Sequence, residues 1–113
     1  MSDKIKVLVV EPIKPCEVRE IPDTLEAMQQ IVGGCIESVS FEREAIICNE
    51  NGKLLDLPFN RPLLDESGLI PLDILQGTFF ITDVSGESFV SLTDEQIQRY
   101  KNLYDNVMIV TTG

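Results

Sequence analysis

In LPFNRPL, residues 57–63, one arginine stands between two prolines, and from Leu54 to Gln98 it is the only basic residue. The same span holds eight acidic residues: Asp56, Asp65, Glu66, Asp73, Asp83, Glu87, Asp94 and Glu95. A guanidinium is a planar fork of donors, suited to gripping a carboxylate or a phosphate through two parallel hydrogen bonds. Just upstream, Asn49, Lys53 and Asn60 add further donors and acceptors. Two roles for Arg61 follow. It forms an ion pair with Asp56, Asp65 or Glu66 and clamps its own loop, or it reads an anionic ligand. In the second case Lys53 joins it on phosphate, and Asn49 or Asn60 contacts a base or ribose.

Other chemistry is excluded residue by residue. The chain has no histidine, which removes the commonest general base, the commonest zinc ligand and every Ser-His or Cys-His pair. EPIKP, residues 11–15, stands where a phosphate-binding loop after the first strand would need glycines. Asp65-Glu66 and Asp94-Glu95 are sequence neighbours, which do not face each other, and no calcium-type loop of alternating acids occurs. Cys16, Cys35 and Cys48 match neither a zinc pattern nor a disulfide framework, and the expectation is free, buried thiols. The chain is therefore read as no enzyme, with no catalytic residue, no metal and no cofactor.

The elements that must position Arg61 can be read along the chain. KIKVLVV, residues 4–10, passes from alternation to a continuous apolar run, as a strand entering a core does. A polar connection follows. Asp23 and Glu26 resemble a capping box, Leu25, Met28 and Val32 share a helical face, and Gly33-Gly34 stops that helix. CIESVSF, 35–41, and AIIC, 45–48, read as strands. Asn51-Gly52 then predicts a hairpin pairing AIICN with KLLDL. LPFNRPL becomes a stiff loop held extended by its prolines. IPLDILQG, 70–77, reads as a helical turn, and TFFITDV, 78–84, as a strand. Thr93 and Gln96, with Leu92 and Ile97 as an apolar staple, open the clearest helix. VMIV, 107–110, is strand-like. The fold expected is α+β, a single domain over residues 1–113, with a mostly antiparallel sheet of four to six strands and two main helices on one face.

At 113 residues, with 43% hydrophobic and 25% charged residues, the composition is that of a globular chain that builds one core. A formal charge of −10 and a pI near 4.3 make direct binding to a nucleic-acid backbone or an anionic membrane unfavourable, because such binding needs clustered cations. The apolar run at Val7–Val10 is too short for a signal-peptide core or a membrane span, so a cytoplasmic location is expected.

KVLVVEP (6–12), TLEAMQQIVGG (24–34), ICNENGKLLDLPFNR (47–61), GTFFI (77–81) and SLTDEQIQRY (91–100) together resemble a family of small uncharacterised proteins. That family occurs in phages, plasmids and conjugative elements of Gram-positive bacteria, often near antirestriction genes. The tail VMIVTTG departs from its pattern. The resemblance implies an accessory, counter-defence gene and brings no catalytic residue. Two modes of binding are expected from it. In the first, a pocket built with a second copy captures a small anionic ligand, such as a nucleotide immune signal, with Arg61, Asn60, Lys53 and Asn49. In the second, an acidic surface occupies the DNA-binding groove of a restriction or CRISPR protein. The sponge needs free local cations, whereas the mimic needs carboxylates without them.

Overall fold

Continuous apolar runs are stable only where both faces of a strand are covered, and the runs of this chain find such a place. A computed structural model describes residues 4–41, 43–65 and 70–105. Its elements are β1 (Lys4–Val10), β2 (Glu17–Pro22), α1 (Leu25–Val32), β3 (Ile36–Ser40), β4 (Glu44–Asn49), β5 (Phe59–Leu64), β6 (Pro71–Gln76), β7 (Phe79–Ser85), β8 (Ser88–Val90) and α2 (Asp94–Tyr104). A six-stranded sheet runs β2-β1-β7-β4-β3, with β8 paired to the end of β7, and β5 and β6 form a separate two-stranded sheet. Every pairing is antiparallel.

The alternation along β1, β4 and β7 divides the core in two. Leu8, Val10, Ile46, Phe79 and Ile81 meet Ile97, Tyr100 and Tyr104 of α2, together with Leu63 and Leu75 of the small sheet. Val7, Val9, Ala45, Ile47 and Phe80 meet Met28 and Val32 of α1 on the other face. The α+β class and the antiparallel sheet are as expected from the sequence, but the helices do not share a face. Three adjacent strands that are apolar on both sides need a layer above and a layer below.

Each helix starts where a side chain can satisfy its exposed amides. In α1 that side chain is Thr24, whose oxygen accepts from the Ala27 N–H, and not Asp23. The helix stops at Gly33, whose φ of 80° is the left-handed conformation that glycine supplies without strain. Gly34 has no positive φ; a Cβ there would meet Asn49 Nδ2 at 2.9 Å. In α2 the capping box is complete: Thr93 Oγ1 accepts from the Gln96 N–H, and Gln96 Oε1 accepts from the Thr93 N–H.

Five local expectations are corrected. β4 pairs with β3 and β7, so neither of its edges is open to KLLDL, and residues 51–56 form successive turns. Gly52 does not take the positive φ that the hairpin would need. LPFNRPL is largely strand β5, and 70–77 is strand β6 with no helical turn. The connection read as polar contains β2. Cys35, expected to be buried, is exposed; Cys48 is buried and free as expected, and Cys16 is buried and free as well. VMIV lies outside the described residues.

Candidate functional site

A bulge in β5 turns two consecutive polar residues inward. Phe59 pairs with Gln76 and Arg61 with Leu75, leaving Asn60 as the extra residue, and such an insertion re-aims side chains. Asn60 and Arg61 are 0% and 1% exposed. Asn60 Nδ2 donates to the carbonyls of Val10 (2.8 Å) and Gly77 (2.9 Å), fastening β5 to the end of β1 and the start of β7. Its Oδ1 accepts from Arg61 Nη1 at 2.8 Å.

The guanidinium is spread over three chain segments. Nε donates to Tyr104 O at 2.7 Å, Nη1 also donates to Asn60 O at 3.3 Å, and Nη2 donates to Lys14 O at 2.5 Å. Tyr104 is the last residue of α2, so the cation sits where the helix dipole and its unpaired carbonyls favour positive charge. Burial lowers the pKa of Arg61, opposed by the Coulombic influence of Cys16 and Asp105. Asp105 Oδ1 accepts from the Cys16 N–H at 2.9 Å, and the Cys16 thiol is pushed up to about 12, mainly by burial and then by Asp105. The contacts that hold Arg61 are carbonyl oxygens and not the carboxylates of its own loop. Four of its five N–H groups are committed, so no parallel pair is left to grip a phosphate or carboxylate.

The other candidate residues serve separate contacts. Asn49 is buried; its Nδ2 donates to Val32 O at 3.1 Å and its Oδ1 accepts from the Asn51 N–H at 2.8 Å, tying the end of α1 to β4. Lys53 is exposed and donates to both carboxylate oxygens of Asp73 at 2.7 Å, which holds that carboxyl below the usual carboxylate range. Arg61 and Asn60 are brought together; Lys53 and Asn49 do not join their hydrogen bonds.

A second polar junction was not legible in the sequence. Glu44, at the start of β4, is 5% exposed. Its carboxylate accepts from Gln96 Nε2 (2.8 Å), Tyr100 Oη (2.9 Å) and Arg99 Nη2 (2.8 Å). The Arg99 guanidinium lies 5.1 Å from the Tyr100 ring centre, and burial with the Glu44 hydrogen bond pushes the Tyr100 hydroxyl up. Only the three-residue spacing of Thr93 and Gln96 hinted that Gln96 had a specific task.

Between β2 and α1 lies an open groove of about 360 Å³, lined by Glu11, Arg19, Gln30, Ile31 and Thr78 among others. Arg19 reaches it already engaged, with Nη2 on Glu11 at 3.2 Å and Nε on Glu17 at 3.0 Å. No group of three or more metal-ligating side chains occurs among the described residues, and no helix among them is long and apolar enough to cross a membrane.

These features define a small α+β domain on an antiparallel sheet, closed by two buried polar junctions. The chain belongs to the family described as a domain of unknown function, DUF3846, which matches residues 5–105. No curated protein and no solved structure matches it.

Proposed function

We propose that this chain is a non-catalytic binding protein of a phage or other mobile element, acting in counter-defence on a basic surface of a host defence protein. What supports a protein partner over a small anion is the employment of the cations. Arg61 is interior and committed to carbonyls, and Lys53 is spent on Asp73. Glu20, Asp23 and Glu26, by contrast, are exposed along β2 and the start of α1, and Asp94 and Glu95 at the start of α2, whereas Glu44 is buried and Glu17 is engaged by Arg19. On a chain of net charge −10, these surfaces steer and hold a cationic partner.

The test is purification of the tagged chain from cells with active defence systems, followed by mass spectrometry of what denaturation releases. A co-purifying protein that is lost as salt rises, and lost when Glu20, Asp23 and Glu26 are replaced by lysine, is the expected result. Release of a nucleotide without any protein would overturn it. Capture of a small anion keeps one observation in its favour, the groove beside Arg19. On that reading Arg19→Ala abolishes nucleotide binding in a titration, while the protein stays folded.

A further inference from the structure

We infer that the free edge of β3 is a docking site for an extended polypeptide segment carrying a cationic side chain, bound by strand addition. Two backbone bonds fix which groups that edge offers. The Phe41 N–H donates to Glu44 O and the Glu50 N–H to Cys35 O, each at 2.8 Å. Alternate residues of an antiparallel pair point the same way, so Cys35, Glu37, Val39 and Phe41 bond toward β4, and Ile36, Ser38 and Ser40 turn their N–H and C=O groups outward. Among the described residues β3 pairs with β4 alone, which leaves those groups open.

An open edge is a template for another chain, and proteins guard edges with prolines, charges, bulges or shortness. Other edges of this molecule have such guards. β2 ends at Pro22 and carries Glu17, Arg19 and Glu20; β6 starts at Pro71, and its Ile74 N–H is taken by Asp73 Oδ1 at 2.8 Å; β8 has three residues. β3 has neither proline nor bulge over its five residues. The core is also unfinished there. Val39 and Phe41 on the α2 side, and Ile36 on the α1 side, are only half-buried where they pack against the two halves of the core. One further strand would cover both faces at once.

Charge chooses the occupant. Glu37 is the one charged residue of β3; it is exposed, and its carboxylate joins none of the ion pairs among the described residues. It shares the Val39 face, so the residue opposite it on an added strand lies within cross-strand reach, where opposite charges attract and like charges repel. A second copy of β3 fits badly. In every two-fold antiparallel register that sets at least two of the outward residues opposite each other, Glu37 meets Glu37, Val39 or Phe41 of the second copy. A carboxylate is then left against another carboxylate or an apolar side chain. A strand with lysine or arginine at that position and apolar residues beside it on the same face satisfies both Glu37 and Val39. This edge lies across the whole sheet from β2, so the inference goes beyond the acidic surface proposed above.

The experiment is a nitrogen-15 NMR titration of the full chain with the blocked peptide Val-Thr-Lys-Thr-Val, in salt that screens distant charges. The N–H groups of Ile36, Ser38 and Ser40 are expected to shift and to gain protection from exchange, while those of Glu37 and Val39, already bonded to β4, change little. Replacing the peptide's lysine by glutamate should weaken binding about fivefold, and Glu37→Lys should reverse that order. Ser38→Pro removes an outward donor and should abolish binding. N-methylation of the peptide at alternate positions removes its donors without touching the protein, and should do the same even where that variant fails to fold. Replacing Glu20, Asp23 and Glu26 by lysine should leave binding intact, which separates this site from the acidic surface. An absence of shifts in β3 at millimolar peptide, equal binding of the lysine and glutamate peptides, or undiminished binding of the methylated ones would each overturn the inference. So would loss of binding in the Glu20, Asp23 and Glu26 variant, or β3 shifts that follow the concentration of the chain itself.

Discussion

The two faces of the β5–β6 hairpin invert the usual distribution of side chains. Inward lie Asn60 and Arg61, buried beside Leu63 and Leu75; outward lie Phe59, Leu72 and Ile74, all exposed. A cation is tolerated inside because carbonyls from the loop before β2, from β5 and from the end of α2 meet its donors; a buried charge without such partners would be prohibitive. Apolar side chains are tolerated outside for a different reason, since nothing in the hairpin's own fold requires them there. The inner face is thus accounted for by stability alone, and the outer face calls for a function.

The sharpest way to break that contrast is at its centre. Arg61→Ala should cost about 3 kcal/mol or more, because the carbonyls it serves lose their partner and a large interior side chain leaves a void. Arg61→Lys should restore little, since an ammonium cannot match the fork. Urea unfolding measures both, and a loss below about 1 kcal/mol would reduce the junction to the weight of a surface ion pair.

Asn60→Ala comes next. It releases Val10 O and Gly77 O and should cost about 2 kcal/mol in the same measurement; an unchanged midpoint would show that β5 is fastened by its apolar residues alone.

The Lys53–Asp73 pair gives a smaller, pH-dependent effect. Its cause is the Lys53 hydrogen bond, which depresses the folded pKa of Asp73. The stabilisation is therefore present above the ordinary carboxylate range and lost as pH falls through the depressed value. Because the pair is exposed, the loss should stay under about 1 kcal/mol. Comparing acid unfolding of wild type with Asp73→Asn isolates it, and identical acid limbs would remove the claim.

Least of all should change at Ile74→Ser, where a solvated position predicts a shift within about 0.5 kcal/mol. A larger destabilisation would mean that the outer face is part of the core.

What the sequence made legible follows the reach of the interactions. The α2 cap was readable because Thr93 and Gln96 act across three positions, and β1, β4 and β7 because apolar runs announce buried strands. LPFNRPL was misread because its conformation is decided at Lys14 and Tyr104, 47 and 43 residues away. The Asn51-Gly52 signal failed for a similar reason: the hairpin it favours locally needs an edge of β4 that β3 and β7 already occupy. Glu44 looked like one acid among 19, since its partners on α2 lie 52 to 56 positions further on.

The bond from Arg61 Nε to Tyr104 O also sets how the molecule comes apart. The small sheet cannot lift from the core without surrendering the last carbonyl of α2, and the final turn of α2 cannot fray without unfastening β5. Hydrogen exchange should therefore report the amides of β5 and of the last turn of α2 opening together as one cooperative unit. In the Arg61→Ala chain that unit divides, and the end of α2 exchanges on its own, faster than the strand it used to hold.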